Sequence, residues 1–321
     1  MRERCLITGV AGFIGSHLAD RLLHEGYEVI GLDRFSDYYP RPVKEANLSE
    51  LRKQSGFAFH EADLCSAELR PYLDGVSYVF HQAAQAGVRA SWGESFRVYV
   101  EDNVLATQRL LEACKGSAVR RFVYASSSSV YGEALDLPVT ESSSTRPASP
   151  YGVTKLAGEH LCYLYRSNYR VPTVALRYFS VYGPRQRPDM AFHRFVAAIR
   201  ARQPITVYGD GTQTRDFTFV ADAVEANWLT LRAQLPEEWH VWNIGGGSRV
   251  SVNQVLAALE RIMGQRAMLE HLPAQHGDVQ NTWADVSAAR RELGFAPTAT
   301  LEQGLQSQVA WQLGRPEGEP Q

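Results

Sequence analysis

Tyr151 and Lys155 stand four residues apart in Tyr151-Gly152-Val153-Thr154-Lys155. On a helix, positions i and i+4 share a face, so a phenol and an ammonium would sit side by side. A free tyrosine titrates near ~10 and is a poor base at neutral pH. A neighbouring cation favours the phenolate and lowers that value. Upstream, Ser126-Ser127-Ser128-Ser129-Val130-Tyr131-Gly132 follows the end of a strand-like run. A serine there can hydrogen-bond the same substrate oxygen as the tyrosine. Alone, the first pattern is ordinary helical surface and the second a polar loop. Their order in one chain, behind a dinucleotide fingerprint, gives them meaning.

That fingerprint is Gly9-Val10-Ala11-Gly12-Phe13-Ile14-Gly15, between an apolar run and a segment with helical spacing. Glycine at these points lets the backbone turn tightly against a pyrophosphate, and the helix N-terminus offers free N–H groups and partial positive charge. The positive nicotinamide of such a cofactor would add to the pull on a tyrosine proton. Asp33 ends the second strand-like run, where an acid binds the adenosine ribose and favours NAD over NADP. Arg34 beside it is suited to a 2′-phosphate and points the other way. Asp63-Leu64 closes the next strand, where adenine would lie, although an aspartate just before Ala67 suits a helix N-cap equally well. Small Ala83 and Ala84, followed by Gln85, let a cofactor lie against the backbone. His81 before them reads as a structural histidine.

These groups need a frame, and the sequence supplies one. Strand-like Cys5–Thr8, Glu28–Asp33, Phe57–Ala62, Tyr78–Gln82, Arg121–Ser126 and Pro172–Phe179 alternate with helix-like Phe13–His24, Val98–Cys114 and Tyr151–Asn168. This pattern predicts an α/β fold: a Rossmann-type, doubly wound parallel sheet with helices on both faces. After Tyr182 the texture changes to a Pro- and Arg-rich loop, helices Ala191–Arg202 and Val252–Met263, and glycine clusters. We read residues 1–180 as the cofactor domain. Residues 181–313 form mainly a smaller mixed α/β C-terminal substrate lobe, with some segments returning to the first domain, and 314–321 a frayed tail.

Composition narrows the function classes. With 321 residues, 45% hydrophobic and 21% charged, the chain has ample core material. A formal charge of −2 gives no reason to expect nucleic acid or an anionic membrane. No apolar run approaches the roughly 18–20 residues of a membrane span, and the N-terminus lacks the features of a signal peptide, so a cytoplasmic location is expected. Cys5, Cys65, Cys114 and Cys162 are too dispersed for a disulfide framework or metal site; no metal is expected.

With these motifs in hand, nearly the whole chain, from the glycine motif to Trp283-Ala284-Asp285, resembles the extended short-chain dehydrogenase/reductase family, in particular its nucleotide-sugar epimerases and dehydratases. The resemblance implies Tyr151 as base and Lys155 as the group that lowers its pKa and binds the nicotinamide ribose. It implies Ser127, with Ser128 as the next candidate, at the sugar hydroxyl. Asn103, Ser126 and Tyr178 join the cofactor set. The 4,6-dehydratases carry Asp-Glu before Val-Tyr-Gly, and the UDP-glucuronate decarboxylases a glutamate; here Ser128 and Ser129 stand there. An epimerase needs neither acid.

Among epimerases, Asp33-Arg34-Phe35-Ser36-Asp37-Tyr38-Tyr39, Ala83-Ala84-Gln85-Ala86-Gly87-Val88-Arg89 and Ser180 resemble the UDP-glucuronate 4-epimerases more than the UDP-galactose 4-epimerases. So do Arg187-Pro188-Asp189-Met190-Ala191 and Gln275-His276-Gly277-Asp278. This implies a UDP-sugar held by Gly87, Arg89, Ser127, Ser128, Ser180, Arg185, Met190, Arg215, Gln275 and Asp278. Arg215 is set against the diphosphate, Arg185 on a loop reaching the nucleotide, and Asp278 at its ribose. Surface salt bridges with Asp210 or Asp216 are the alternative reading of either arginine, and Arg187 reads as solvated. Trp242, Trp283 and Trp311 read as packing. The expected activity is NAD-dependent C4 epimerisation of UDP-glucuronate. A UDP-glucose/UDP-galactose or N-acetyl 4-epimerase, with Thr282 leaving space, is the alternative, and a nucleotide-sugar dehydrogenase or reductase the next. A homodimer through helices Val98–Cys114 and Tyr151–Asn168 is implied.

Overall fold

Seven parallel strands form the central sheet of the computed structural model, which describes residues 2–234, 238–273 and 278–314. They are β1 (Arg4–Thr8), β2 (Glu28–Asp33), β3 (Phe57–Glu61), β4 (Val76–His81), β5 (Arg121–Ser127), β6 (Thr173–Tyr178) and β10 (His240–Ile244). Their spatial order is β10-β6-β5-β4-β1-β2-β3. The inner strands are apolar on both faces because helices cover both. On one face α1 (Phe13–His24) and α7 (Val220–Arg232) bury Leu18, Leu22 and Ala223 with Trp242. On the other, α4 (Ala106–Cys114) and α5 (Pro150–Tyr169) bury Leu110, Leu111, Cys162 and Tyr165. The chain winds outward from β1 through β2 to β3, then returns to β4 on the other side. That reversal opens a crevice at the carboxyl ends of the strands, where such sheets bind ligands.

The sheet is doubly wound as the alternation predicts. β10 is the strand that the sequence left unread: it pairs with β6 in parallel after the chain has left the sheet and come back. The smaller lobe holds β7 (Ser180–Tyr182), β9 (Thr214–Phe219) and β11 (Arg249–Ser251) in one sheet, and β8 (Pro204–Tyr208) with β12 (Met268–Leu272) in another. Helices α6 (Ala191–Ala201), α8 (Val252–Met263) and α10 (Leu301–Leu313) pack around Phe192, Val196, Val207 and Leu259. Residues 315–321 of the expected tail lie outside the described residues.

The predicted helix Val98–Cys114 differs instructively. It runs as a short α-turn, α3 (Phe96–Tyr99), then a π-helical stretch, Val100–Leu105, then α4. A π segment inserts a residue into the helical ladder and re-aims its side chains, and such segments occur often at functional sites. Here it carries Asn103. All four cysteines are free, and among the described residues no His/Cys/Asp/Glu group could hold a metal. No described helix is long and apolar enough to cross a membrane.

Candidate active site

The crevice contains a cleft lined by strand ends, and sixteen of the seventeen expected cofactor residues border it. Its floor is the loop from β1 to α1, with Gly9, Gly12, Phe13, Ile14 and Gly15 on the wall. A Cβ on Gly15 would stand 2.3 Å from Gly9 O, so the turn can be this tight only with glycine there. Gly12 caps α1 with no side-chain hydrogen bond, which leaves the helix N–H groups for a ligand. Asp33 Oδ2 accepts from Ala11 N at 3.1 Å and Oδ1 from Phe35 N at 2.9 Å, tying the glycine loop to the end of β2. Burial raises its pKa despite these bonds.

Arg34 is not available for a phosphate. Its Nη1 meets Asp63 Oδ2 at 3.2 Å and its Nη2 meets Asp102 Oδ2 at 2.7 Å. With Asp33 adjacent, this end of the cleft is acidic, which suits ribose hydroxyls and disfavours a 2′-phosphate. Asp63 borders the cleft and caps no helix. Its Oδ2 faces Arg34, while its Oδ1 accepts from Cys65 N at 2.8 Å in a turn rather than a helix cap. Ala83, Ala84 and Leu64 line the wall as small or apolar surface, with Gln85 beside them. An open helix N-terminus, a glycine cradle, an acid and a smooth wall together fit NAD.

Asn103 is the exception. It is 1% exposed, and its amide is spent behind the wall. Oδ1 accepts from Gln85 N at 2.7 Å, and Nδ2 donates to Gln85 O at 3.0 Å and Thr154 Oγ1 at 2.9 Å. Asn103 therefore fixes the wall to α5 rather than reaching the cleft. His81 is structural as read: Thr8 Oγ1 lies 2.7 Å from Nδ1 and Thr107 Oγ1 2.9 Å from Nε2, with burial lowering its pKa to about 3.

The reactive groups converge at the other end. Ser149 caps α5 by accepting from Gly152 N at 3.1 Å, and Pro150 begins the helix. Tyr151 thus sits in the first turn and Lys155 one turn on, both on the cleft wall with Ser126 and Tyr178. Lys155 Nζ donates to Ala125 O at 2.8 Å, and burial lowers its pKa to about 8. The Tyr151 phenol departs from the expectation. Burial raises its pKa; hydrogen bonding with Ser127 and the charge of Arg187 pull it back only in part, and Lys155 does not enter that balance. The Ser127 hydroxyl also accepts from Ser129 N at 3.1 Å, holding the turn that Ser128 opens. Beneath, Ser126 Oγ donates to Glu159 Oε1 at 2.5 Å, and Glu159 pairs with Arg177 at 2.7 Å in the core. Tyr178 Oη is held by Gln82 at 3.2 Å and Asn227 at 2.6 Å.

The residues expected at the sugar and nucleotide divide. Arg89 Nη2 meets Asp278 Oδ2 at 2.5 Å and lies over the Tyr208 ring at 4.2 Å. Arg215 donates to Thr214 O at 2.9 Å; burial lowers its pKa, while Asp278 and Glu133 oppose that and Arg89 adds to it. Arg89, Arg215 and Asp278 therefore form one cluster from three distant segments. Arg185 is elsewhere: its Nη1 pairs with Asp20 of α1 at 2.7 Å, so it is held against the helix instead of reaching a nucleotide. Ser180 begins β7, paired with Phe217, and Met190 caps α6. Gly87 adjoins Tyr38. Gln275 lies outside the described residues. Arg187, read as solvated, is the residue that sequence reasoning missed. It lines the cleft with Tyr151, and its side chain is only 20% exposed. The spacing Arg187-x-Asp189, a ready-made loop ion pair, was the available signal.

Residues 5–245 match the family described as NAD dependent epimerase/dehydratase. The chain belongs to that family. Among its relatives, an uncharacterized UDP-glucose epimerase of Bacillus subtilis is 45% identical over 318 residues, spanning 98% of this chain and 100% of the relative. A UDP-glucuronate 4-epimerase of Thermodesulfobacterium geofontis is 40% identical over 310 residues, 95% of each chain. The crystal structure of UDP-glucuronic acid 4-epimerase from Bacillus cereus with UDP-glucuronic acid and NAD superimposes with a TM-score of 0.94 at 43% identity. It covers 97% of this chain and 99% of that one. The epimerase/dehydratase family thus accounts for the cleft, the glycine loop and the Tyr151/Lys155 helix together.

Proposed function

We propose that this protein is an NAD-dependent C4 epimerase of UDP-glucuronate, forming UDP-galacturonate. The observation that carries the reading is the meeting of Tyr151, Ser127 and Lys155 with the cation Arg187 in one cleft. A cation beside the base suits the carboxylate of a uronate, whereas a neutral sugar offers it no charge to pair with. Serine at 128 and 129 supports epimerisation over dehydration, because no acid pair is present to expel water.

Tyr151 Oη takes the proton of the C4 hydroxyl, and Ser127 Oγ holds the same oxygen. Bound NAD supplies a reversible hydride acceptor for C4. The positive ring of that cofactor would add to Ser127 and Arg187 in favouring the Tyr151 phenolate against the effect of burial. Lys155 anchors the cofactor ribose from the same helix face. The sugar then turns over, and Tyr151 returns the proton with hydride delivered to the opposite face. A 4-keto uronate is a β-keto acid that loses CO₂ when its carboxylate bond aligns with the carbonyl π system. Arg187, with the Ser128 and Ser180 hydroxyls, holds the carboxylate out of that alignment. Arg215, Arg89 and Asp278 take the nucleotide side, where two phosphates meet a protein with almost no net charge.

The test is incubation with UDP-glucuronate and no added cofactor, followed by NMR. UDP-galacturonate should appear without net NADH, and Tyr151→Phe should cut turnover by about 10³–10⁴-fold while retaining NAD. Net NADH, or turnover confined to UDP-glucose, rejects the reading. The UDP-glucose alternative is favoured by the name of the Bacillus subtilis relative. We further propose a homodimer. Phe96, Val98 and Leu105 near α3 and α4, and Val153, Tyr163 and Leu164 on α5, expose apolar surface that a second copy would cover. Sedimentation at the mass of one chain would remove that part.

A further inference from the structure

Where the loop after β2 meets the loop before α6, three side chains interlock at the cleft mouth. The Tyr38 hydroxyl donates to Asp189 Oδ2 at 3.3 Å. Asp189 in turn accepts from Arg187, Nε to Oδ1 at 2.9 Å and Nη2 to Oδ2 at 2.9 Å. The guanidinium also lies over the Tyr38 ring, 5.7 Å from its centroid. Gly87 makes room for this: at φ +108°, a Cβ there would stand 2.6 Å from the Tyr38 hydroxyl. The fork is side-on. It occupies Nε and Nη2, and leaves Nη1 with no hydrogen-bond partner among the described residues.

We propose that Asp189 and Tyr38 are positioning residues that aim Arg187 at the sugar carboxylate, so that selection of a uronate is set in part from the cofactor loop. This rests on the functional reading above. A free arginine must give up rotamer freedom to grip an anion, whereas one already gripped from the side has lost it on folding. The planar fork makes that possible, since one edge can be tied down while the other still binds a carboxylate. Tyr38 lies on the loop that follows Asp33, so the clasp joins the adenosine end of the cleft to its sugar end across 151 residues of sequence.

The two roles open to Asp189 have opposite signs. If it only competes for Arg187, neutralising it frees the cation and tightens uronate binding. If it aims Arg187, the same change loosens binding. The experiment is calorimetry on the NAD-loaded protein with UDP-glucuronate, UDP-glucose and UDP. UDP lacks the sugar and reports the rest of the site. With Asp189→Asn, the UDP-glucuronate affinity relative to UDP should fall about tenfold, the effect of one released side chain. Tyr38→Phe, which removes only a hydroxyl, should lower the same ratio about threefold, since one polar contact is lost. It carries the test if Asp189→Asn does not fold. An unchanged or increased ratio in both variants overturns the proposal, as does an equal loss for UDP. A wild type that holds UDP-glucuronate no better than UDP-glucose overturns the functional reading and the clasp together. A discriminating wild type with unaltered variants overturns the clasp alone.

Discussion

The cofactor end of the cleft is made of backbone, and the sugar end of side chains. At the first, Gly9 to Gly15, the end of β2 and the Ala83–Ala84 wall present peptide groups and small surfaces, tied to the strand ends by Gly9 N to Leu32 O and Ala83 N to Thr8 Oγ1. At the second, side chains come from separate segments: Arg89 pairs with Asp278, Arg187 pairs with Asp189, and Arg215 lies in the field of Asp278 and Glu133. Backbone sites gain their geometry from folding itself and tolerate little change. Side-chain sites are adjustable, which is how one fold serves different sugars.

Gly15→Ala is the largest test of that contrast. Its Cβ would stand 2.3 Å from the Gly9 carbonyl oxygen, which accepts from Gly12 N within the same loop. The glycine loop must open, and NAD affinity should fall by about 100-fold or more, the ~3 kcal/mol of a strained backbone contact. Fluorescence titration of the variant with NAD measures it. Near-normal affinity would mean that the loop is not the rigid cradle described.

The sugar end should respond residue by residue. Arg215→Ala removes a partly buried cation from the cluster with Arg89 and Asp278. KM for the UDP-sugar should rise about 10- to 100-fold, the ~1.5–3 kcal/mol of a charged hydrogen bond, with kcat changed less. Arg185→Ala, two residues from Arg187 yet paired with Asp20, should move KM by no more than about twofold, as expected of a partly exposed pair turned away from the substrate. Equal effects from the two would erase the distinction drawn between them.

The same contrast explains what was legible in the sequence. The glycine loop, Asp33 and the Tyr151/Lys155 helix could be read because backbone and helix geometry are local: spacing along the chain fixes spacing in space. The sheet followed from alternation, but β10 did not, because its place beside β6 depends on a return from the lobe. Asn103 was read as a cofactor ligand, yet the π segment aims its amide at Gln85 and Thr154. Arg187 was read as solvated, since a Pro- and Arg-rich loop signals exposure. The structure pairs it with Asp189 and lays it over Tyr38, far upstream, and no local pattern encodes the contact with Tyr38. Its neighbour Arg185 was assigned the nucleotide for lack of any sign of Asp20.

His81 offers the gentlest probe, because it supports the backbone end from below. Thr8, which lies against its Nδ1, also accepts from Ala83 N at 3.2 Å, so the imidazole braces the cofactor wall. Burial lowers the His81 pKa to about 3 in the folded chain, against an ordinary ~6.5. As pH falls, the unfolded chain binds the proton first, so stability declines with falling pH. The contribution is complete above about pH 6.5 and is lost progressively from there toward pH 3, at up to ~1.4 kcal/mol per pH unit. His81→Gln keeps polar atoms between Thr8 and Thr107 but cannot titrate. Its Tm should be lower than that of the wild type at pH 7.5, yet fall less between pH 7.5 and 5. Parallel Tm-against-pH curves for the two proteins would show that the acid sensitivity arises elsewhere, and that the cofactor wall does not depend on a neutral imidazole.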